Sequence, residues 1–240
     1  MRKKGFTISE IIIALCIIGV VASLTTPQLI NNYRKKIFST SLATAVSDFE
    51  KAMTTLIQKD NLVNLKQSDA WKFIIDDDII DDDDKDKFTS EINKVFSSKL
   101  TDNPIGCKKL NSNEDYDFYQ NEDYTFNPNK AITLKSKKGI DYLINSTQNV
   151  DLKKEYDALL NGSNYLEQVA VIYIDTNGFG TKPDILGRDI FIFDLSVDGH
   201  LYPYGGDDYD FYHGKKDVKC IEDSKFCAEH LLKNGYNMDY

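Results

Sequence analysis

Residues 4–30 read KGFTISEIIIALCIIGVVASLTTPQLI, a stretch in which Glu10 is the only carboxylate. A helix rises about 1.5 Å per residue, so this run more than covers a hydrocarbon core of roughly 30 Å. Nothing charged or hydroxylated interrupts it between Ile11 and Val21. A single membrane-spanning helix over residues 6–30 follows. Arg2, Lys3 and Lys4 precede it, which by the positive-inside rule keeps the N-terminus cytoplasmic and sends the long remainder to the outer face. An ordinary secretory signal has a similar outline, with Val20, Val21 and Ala22 serving as a cleavage site. Two features oppose that reading: a Gly5-Phe6 junction directly follows the basic residues, and Glu10 interrupts the apolar core. An acid inside a bilayer costs on the order of 3 kcal/mol on insertion scales, so it calls for a partner and a task.

Beyond Pro27 the pattern changes. Ile30, Tyr33, Ile37, Phe38, Leu42, Ala45, Val46, Phe49, Met53, Leu56 and Ile57 recur at steps of three and four, the stripe of an amphipathic helix. Pro27 removes a backbone donor, and Gly19 softens the helix further, so a kink or local melting is expected over residues 22–27. The stripe is too short and irregular for a free coiled coil and needs a surface to cover. Seven aspartates crowd between Asp76 and Asp84, a solvated loop or the acidic start of a helix, ahead of a short amphipathic pattern through Phe88, Ile92, Val95, Phe96 and Leu100. Residues 110–129, rich in Asn, Asp and Tyr, read as an irregular loop.

Strand signals fill the second half. Residues 131–134 and 140–144 flank SKKG, a hairpin in which Gly139 supplies a positive φ. Residues 168–174 and 189–195 are the strongest strands, and 200–204 can pair back across Val197-Asp198-Gly199, with residues 151–160 as a short inserted helix. The expectation is an α+β fold with an antiparallel sheet of about four or five strands.

The 41% hydrophobic content is ample for one ectodomain core over residues 31–240. The net charge of -9 disfavours a nucleic-acid surface, and the doublets Lys35-Lys36, Lys108-Lys109 and Lys215-Lys216 read as solvated surface. Cys16 lies in the apolar run. Cys220 and Cys227 can close a short disulfide loop in an oxidising compartment, but Cys107 can pair with either, and sequence does not choose. Two thiols without a nearby His pair make a poor zinc site. Asp175, Asn177 and Gly178 partly match a calcium loop, with Asp184, Asp189 and Asp198 as further ligand candidates. Phe179 occupies a ligand position and no Glu follows at the required distance, so a plain Asn-Gly turn is the stronger reading. His200, His213 and His230 fall in separate segments, and no hydrolase, metalloprotease or phosphate-loop signature is present, so no enzyme is expected.

The segment Lys4-Gly5-Phe6-Thr7-Ile8-Ser9-Glu10 with the apolar run behind it resembles the class III signal of type IV pilins and type II secretion pseudopilins, and the position of Pro27 is similar as well. The resemblance implies a leader over residues 1–5, cleaved after Gly5 by a prepilin peptidase, and methylation of the new amine on Phe6. It further implies use of Glu10 in assembly, with the amphipathic half of the long helix laid on the sheet of a pilin-like fold. The implied partners are other pilin or pseudopilin subunits, an inner-membrane assembly platform and membrane lipid, without a cofactor unless calcium is held. The implied location is the bacterial inner membrane, single pass, and a filament after assembly. In that setting the Glu10 carboxylate of one chain neutralises the Phe6 amine of its neighbour, since each is costly to bury alone. The ectodomain is large for a simple major pseudopilin, which hints at a minor or specialised subunit. A looser resemblance of the loop after residue 174, the IFIFDLSVDGHLYPYG stretch and the ending CIEDSKFCAEHLLKNGYNMDY to prepilin-type proteins with a disulfide-closed tail favours pairing of Cys220 with Cys227, followed by a short terminal helix. The alternative is a membrane-anchored or secreted binding domain, calcium dependent or not, that does not polymerise.

Overall fold

The computed structural model describes residues 7–71, 82–96, 100–102, 131–146, 168–178, 181, 185–204, 220 and 224–240. Gly5, Phe6, Cys107, Asp184, His213, the loop over 110–129 and the helix over 151–160 lie outside the described residues. Contacts divide the chain into two compact units, Met1–Ile37 and Phe38–Tyr240. The division falls seven residues after the hydropathy boundary at residue 30, because packing begins only at Phe38.

Helix α1 covers Ile8–Lys59. In the first unit its apolar side chains are exposed on every side, from Ile8 through Leu15, Val21 and Leu29. Pro27 sits inside the helix without interrupting it, so the melting expected over residues 22–27 does not occur. The hydroxyls of Ser23, Thr25 and Thr26 bond back to the carbonyls of Val20, Val21 and Ala22, at 2.8, 2.9 and 2.7 Å. Such bonds give the three hydroxyls partners within the helix itself.

In the second unit the helix turns amphipathic. Phe38, Leu42, Ala45, Val46, Phe49, Ala52, Met53 and Leu56 are buried, at the three- and four-residue spacing of a single stripe. They meet a six-stranded antiparallel sheet, β1 Leu100–Asp102, β2 Ala131–Ser136, β3 Asp141–Ser146, β4 Gln168–Asp175, β5 Ile190–Ser196 and β6 Leu201–Pro203, in sequential order. Five of these are the expected strands; β1 is additional, its three residues being too short to show a period. Register aligns Ile132, Ile144, Ile172, Phe193 and Pro203 in one row across the sheet. The first four belong to the same core cluster as the α1 stripe. The next row, Thr133, Leu143, Tyr173 and Ile192, faces the other way and is also buried. This two-sided burial explains why β4 and β5 read as near-continuous apolar runs.

Helix α2, Asp82–Asn93, begins within the aspartate run, where negative charge suits the helix dipole, and contributes Phe88 and Ile92 to the core. Trp71 meets Phe88 edge to face at 5.0 Å, while Phe49, Phe96 and Tyr142 form a triangle of rings 5.5 to 6.0 Å apart. Polar links tie the sheet and its turns to α1, among them the Tyr142 hydroxyl to the Ala45 carbonyl, an ion pair of Lys138 with Asp48, and the Leu201 N–H to the Glu50 carboxylate. The turn after β5 lies so close to α1 that a Cβ at Gly199, φ +89°, would sit 2.9 Å from the Met53 Cβ.

Phe49 is fully buried. Replacing it by Ala is expected to cost about 3–5 kcal/mol in denaturant unfolding, from lost transfer energy and the cavity left behind. Burial, reinforced by Asp48 and Asp141, pushes the Tyr142 hydroxyl above its ordinary value, and burial does the same for Tyr173. The unfolded chain releases those protons first, so their contribution is fully present below a pH of about 10 and is lost as pH rises above it. Urea midpoints measured through the alkaline range are expected to fall less steeply for Tyr142→Phe than for the wild type.

Candidate functional site

The chemistry-bearing start of α1 is a reciprocal cap. The Thr7 backbone N–H and hydroxyl both donate to Glu10 Oε2, at 2.8 and 2.7 Å, and the Glu10 N–H donates to the Thr7 hydroxyl at 3.3 Å. Thr-Ile-Ser-Glu is thus a capping box: it satisfies donors that a helix start otherwise leaves open. The role of Thr7 was missed from sequence, although a Thr three residues before an acid and ahead of an apolar run is the signal for it. The box engages one carboxylate oxygen, Oε2, and holds the acid on the exposed first turn. From Ile8 to Ile30 the helix is long and apolar enough to cross a membrane, and none of its most apolar window is buried.

Among the described residues, the carboxylates read as calcium candidates build turns. Asp175 Oδ1 accepts the N–H groups of Asn177 and Gly178, at 3.0 and 2.9 Å, while the Asn177 amide donates to the Thr181 carbonyl. Asp189 accepts the Ile185 N–H through Oδ1 at 2.7 Å, and its carbonyl takes both the N–H and the hydroxyl of Thr176. Asp198 accepts the His200 N–H and the Ser196 hydroxyl. Asp141 faces Asp175 across β3 and β4 and lies 3.4 Å from the Lys135 ammonium. Among the described residues no group of three or more His, Cys, Asp or Glu is placed to hold a metal ion. His200 lies 3.5 Å from Glu50, and His230 pairs with Asp239 at 2.6 Å, so the two described histidines belong to separate elements.

Cys220 and Cys227 form a disulfide, and Cys16 is free and exposed. Cys227 opens helix α3, Cys227–Lys233. The bond packs onto Gly187 in the turn before β5. There φ is +80°, and a Cβ would stand 2.6 Å from the Cys227 sulfur and 3.1 Å from the Ser224 carbonyl. The Tyr240 hydroxyl donates to the Gly187 carbonyl at 2.7 Å, so the chain end returns to the same glycine. The absent side chain at Gly187 lets the tail close.

No protein-family model matches the chain, and neither does any curated protein or solved structure.

Replacing both Cys220 and Cys227 by Ser is expected to lower stability by about 2–3 kcal/mol, the loop-closure entropy of a short ring. Thermal unfolding with and without reductant checks this, since reductant is expected to destabilise the wild type alone. Gly187→Ala is expected to destabilise the oxidised chain through the same contact.

Proposed function

We propose that this chain is a prepilin-like structural subunit: the leader over residues 1–5 is removed, and the apolar part of α1 joins that of other copies in a filament that exposes the sheet-bearing unit. The observation that carries the proposal is a carboxylate fixed by its cap on the first turn of a helix that is apolar and exposed all round. An apolar surface of that kind is stable only against lipid or against other apolar helices. Cleavage after Gly5 would create an ammonium group on Phe6 beside the positive end of the helix dipole, an unfavourable place for a cation. The Glu10 carboxylate of an adjacent copy offsets both charges and fixes the axial stagger between the two chains. The N-terminal motif, the long helix and the α+β architecture support this reading together. A prepilin peptidase, like subunits and an inner-membrane assembly platform are the partners it requires, with the N-terminus on the cytoplasmic side and the folded unit outside.

The capping box supplies a discriminating experiment. Gln also serves at the third position of such a box, so Glu10→Gln keeps the cap while removing the charge, whereas Glu10→Ala loses both. Both variants are expected to lose filament assembly by at least about tenfold, as judged by sedimentation and cross-linking of full-length chains in membranes, since removing one partner of a desolvated pair leaves the other uncompensated. Helix content should be unchanged in the Gln variant. Assembly by Glu10→Gln at the wild-type level would remove the electrostatic role. Mass determination of the mature chain is expected to show an N-methylated Phe6 start; an intact leader or a start beyond Ala22 would overturn the processing step.

A further inference from the structure

We infer that Tyr33, Arg34, Lys35 and Lys36 form an interfacial collar that binds the anionic headgroups of the phospholipids surrounding the apolar span. The inference rests on the membrane-spanning part of the reading above and is independent of leader cleavage and polymerisation.

Position is the first argument. Residues 8–30 rise about 34 Å as a helix, enough to fill the hydrocarbon core. The seven residues 31–37 then rise about 10 Å more, comparable with one headgroup layer. They belong to the first unit, which ends at Ile37, and contribute nothing to the folded core, whose first buried residue is Phe38. Once the span is embedded, this segment has nowhere to lie except among headgroups.

Chemistry and geometry then select the occupant. Tyr33 is 67% exposed, an aromatic ring with a polar tip suited to the membrane boundary. Arg34, Lys35 and Lys36 are consecutive, so at about 100° per residue their charges fan across some 200° of the helix. A protein partner would read one face, at residues three and four apart. A fan of charge suits surroundings that present anions on all sides, as a leaflet does. Six of the chain's 29 Lys and Arg residues, but one of its 38 acidic residues, precede Phe38. The folded unit is therefore strongly acidic and repelled by an anionic surface, and the collar supplies the local attraction that offsets this.

The full-length chain reconstituted in bilayers of equal phosphatidylglycerol and phosphatidylcholine tests the inference, with the lipids retained on the protein counted by native mass spectrometry. In the retained shell of the wild type the ratio of phosphatidylglycerol to phosphatidylcholine is expected to exceed that of the bilayer at least about threefold, given that each basic residue near a charged leaflet adds a severalfold preference. Enrichment should fall toward unity in the triple variant R34Q/K35Q/K36Q and in about 0.5 M salt, and persist in K51Q. Equal enrichment in the wild type and the triple variant would overturn the inference. So would unchanged enrichment accompanied by reduced cross-linking between copies, which would assign the collar to a second chain. Glu10→Gln separates the readings: it is expected to keep the lipid preference even where it abolishes assembly.

Discussion

The structure depends on one helix meeting two different environments along its length. Up to Ile30, α1 is apolar around its whole circumference, and from Phe38 it is apolar along one stripe only. A helix with no polar side has no stable orientation on a sheet, and a helix with one stripe has no reason to enter lipid. The change of pattern therefore divides the labour. The stripe of Leu42, Phe49, Met53 and Leu56 requires a broad apolar surface, which the row of Ile132, Ile144, Ile172 and Phe193 provides. Each of the strands β2 to β5 contributes one side chain to that row because the sheet is a sequential meander, in which every turn returns the chain with its face preserved.

Once the sheet is committed to α1, its loops must satisfy their own backbone groups, and the acidic residues do much of this. Asp175, Asp189, Asp198 and Glu50 each accept an N–H from a turn or strand end. The oxygen that would coordinate a cation is equally suited to a backbone donor, and in a chain with 38 acidic residues the second use needs no special spacing. In the Asp-x-Asn-Gly sequence the turn is accordingly held by the Asp175 carboxylate itself. The same reasoning applies to Gly187, whose missing side chain admits the Cys220–Cys227 bond.

These features also set what could be read from the sequence. The α1 stripe is periodic, and the five expected strands are apolar runs or follow recognisable turns, signals that survive without knowledge of tertiary contacts. Gly139, with φ +80°, was legible because a two-strand turn of that length demands it. The strand β1 was not legible, since Leu-Thr-Asp carries too little pattern and depends on pairing with residues 134–136 far along the chain. At Pro27 the sequence left a kink and local melting open, and the helix runs through it, so only the melting falls away. The disulfide partner of Cys227 could not be chosen by spacing, and the close approach of Cys227 to Gly187, a contact across 40 residues, carries no local signal either.

Part of the chemistry at the start of α1 was not legible. Viewed by composition, Glu10 is an acid stranded in an apolar helix; viewed in the folded chain, it is the third residue of a capping box with Thr7. These roles are compatible because a carboxylate has about four acceptor positions, and the box uses only the two on Oε2. A cation approaching from outside can engage Oε1 without releasing the Thr7 N–H, so association need not unravel the helix start. The cap also holds the glutamate in one conformation before any partner arrives, sparing the side-chain ordering cost of up to roughly 2 kcal/mol that a mobile acid would incur on pairing. A local device for beginning a helix thereby prepares the charge on which the proposed contact between copies depends.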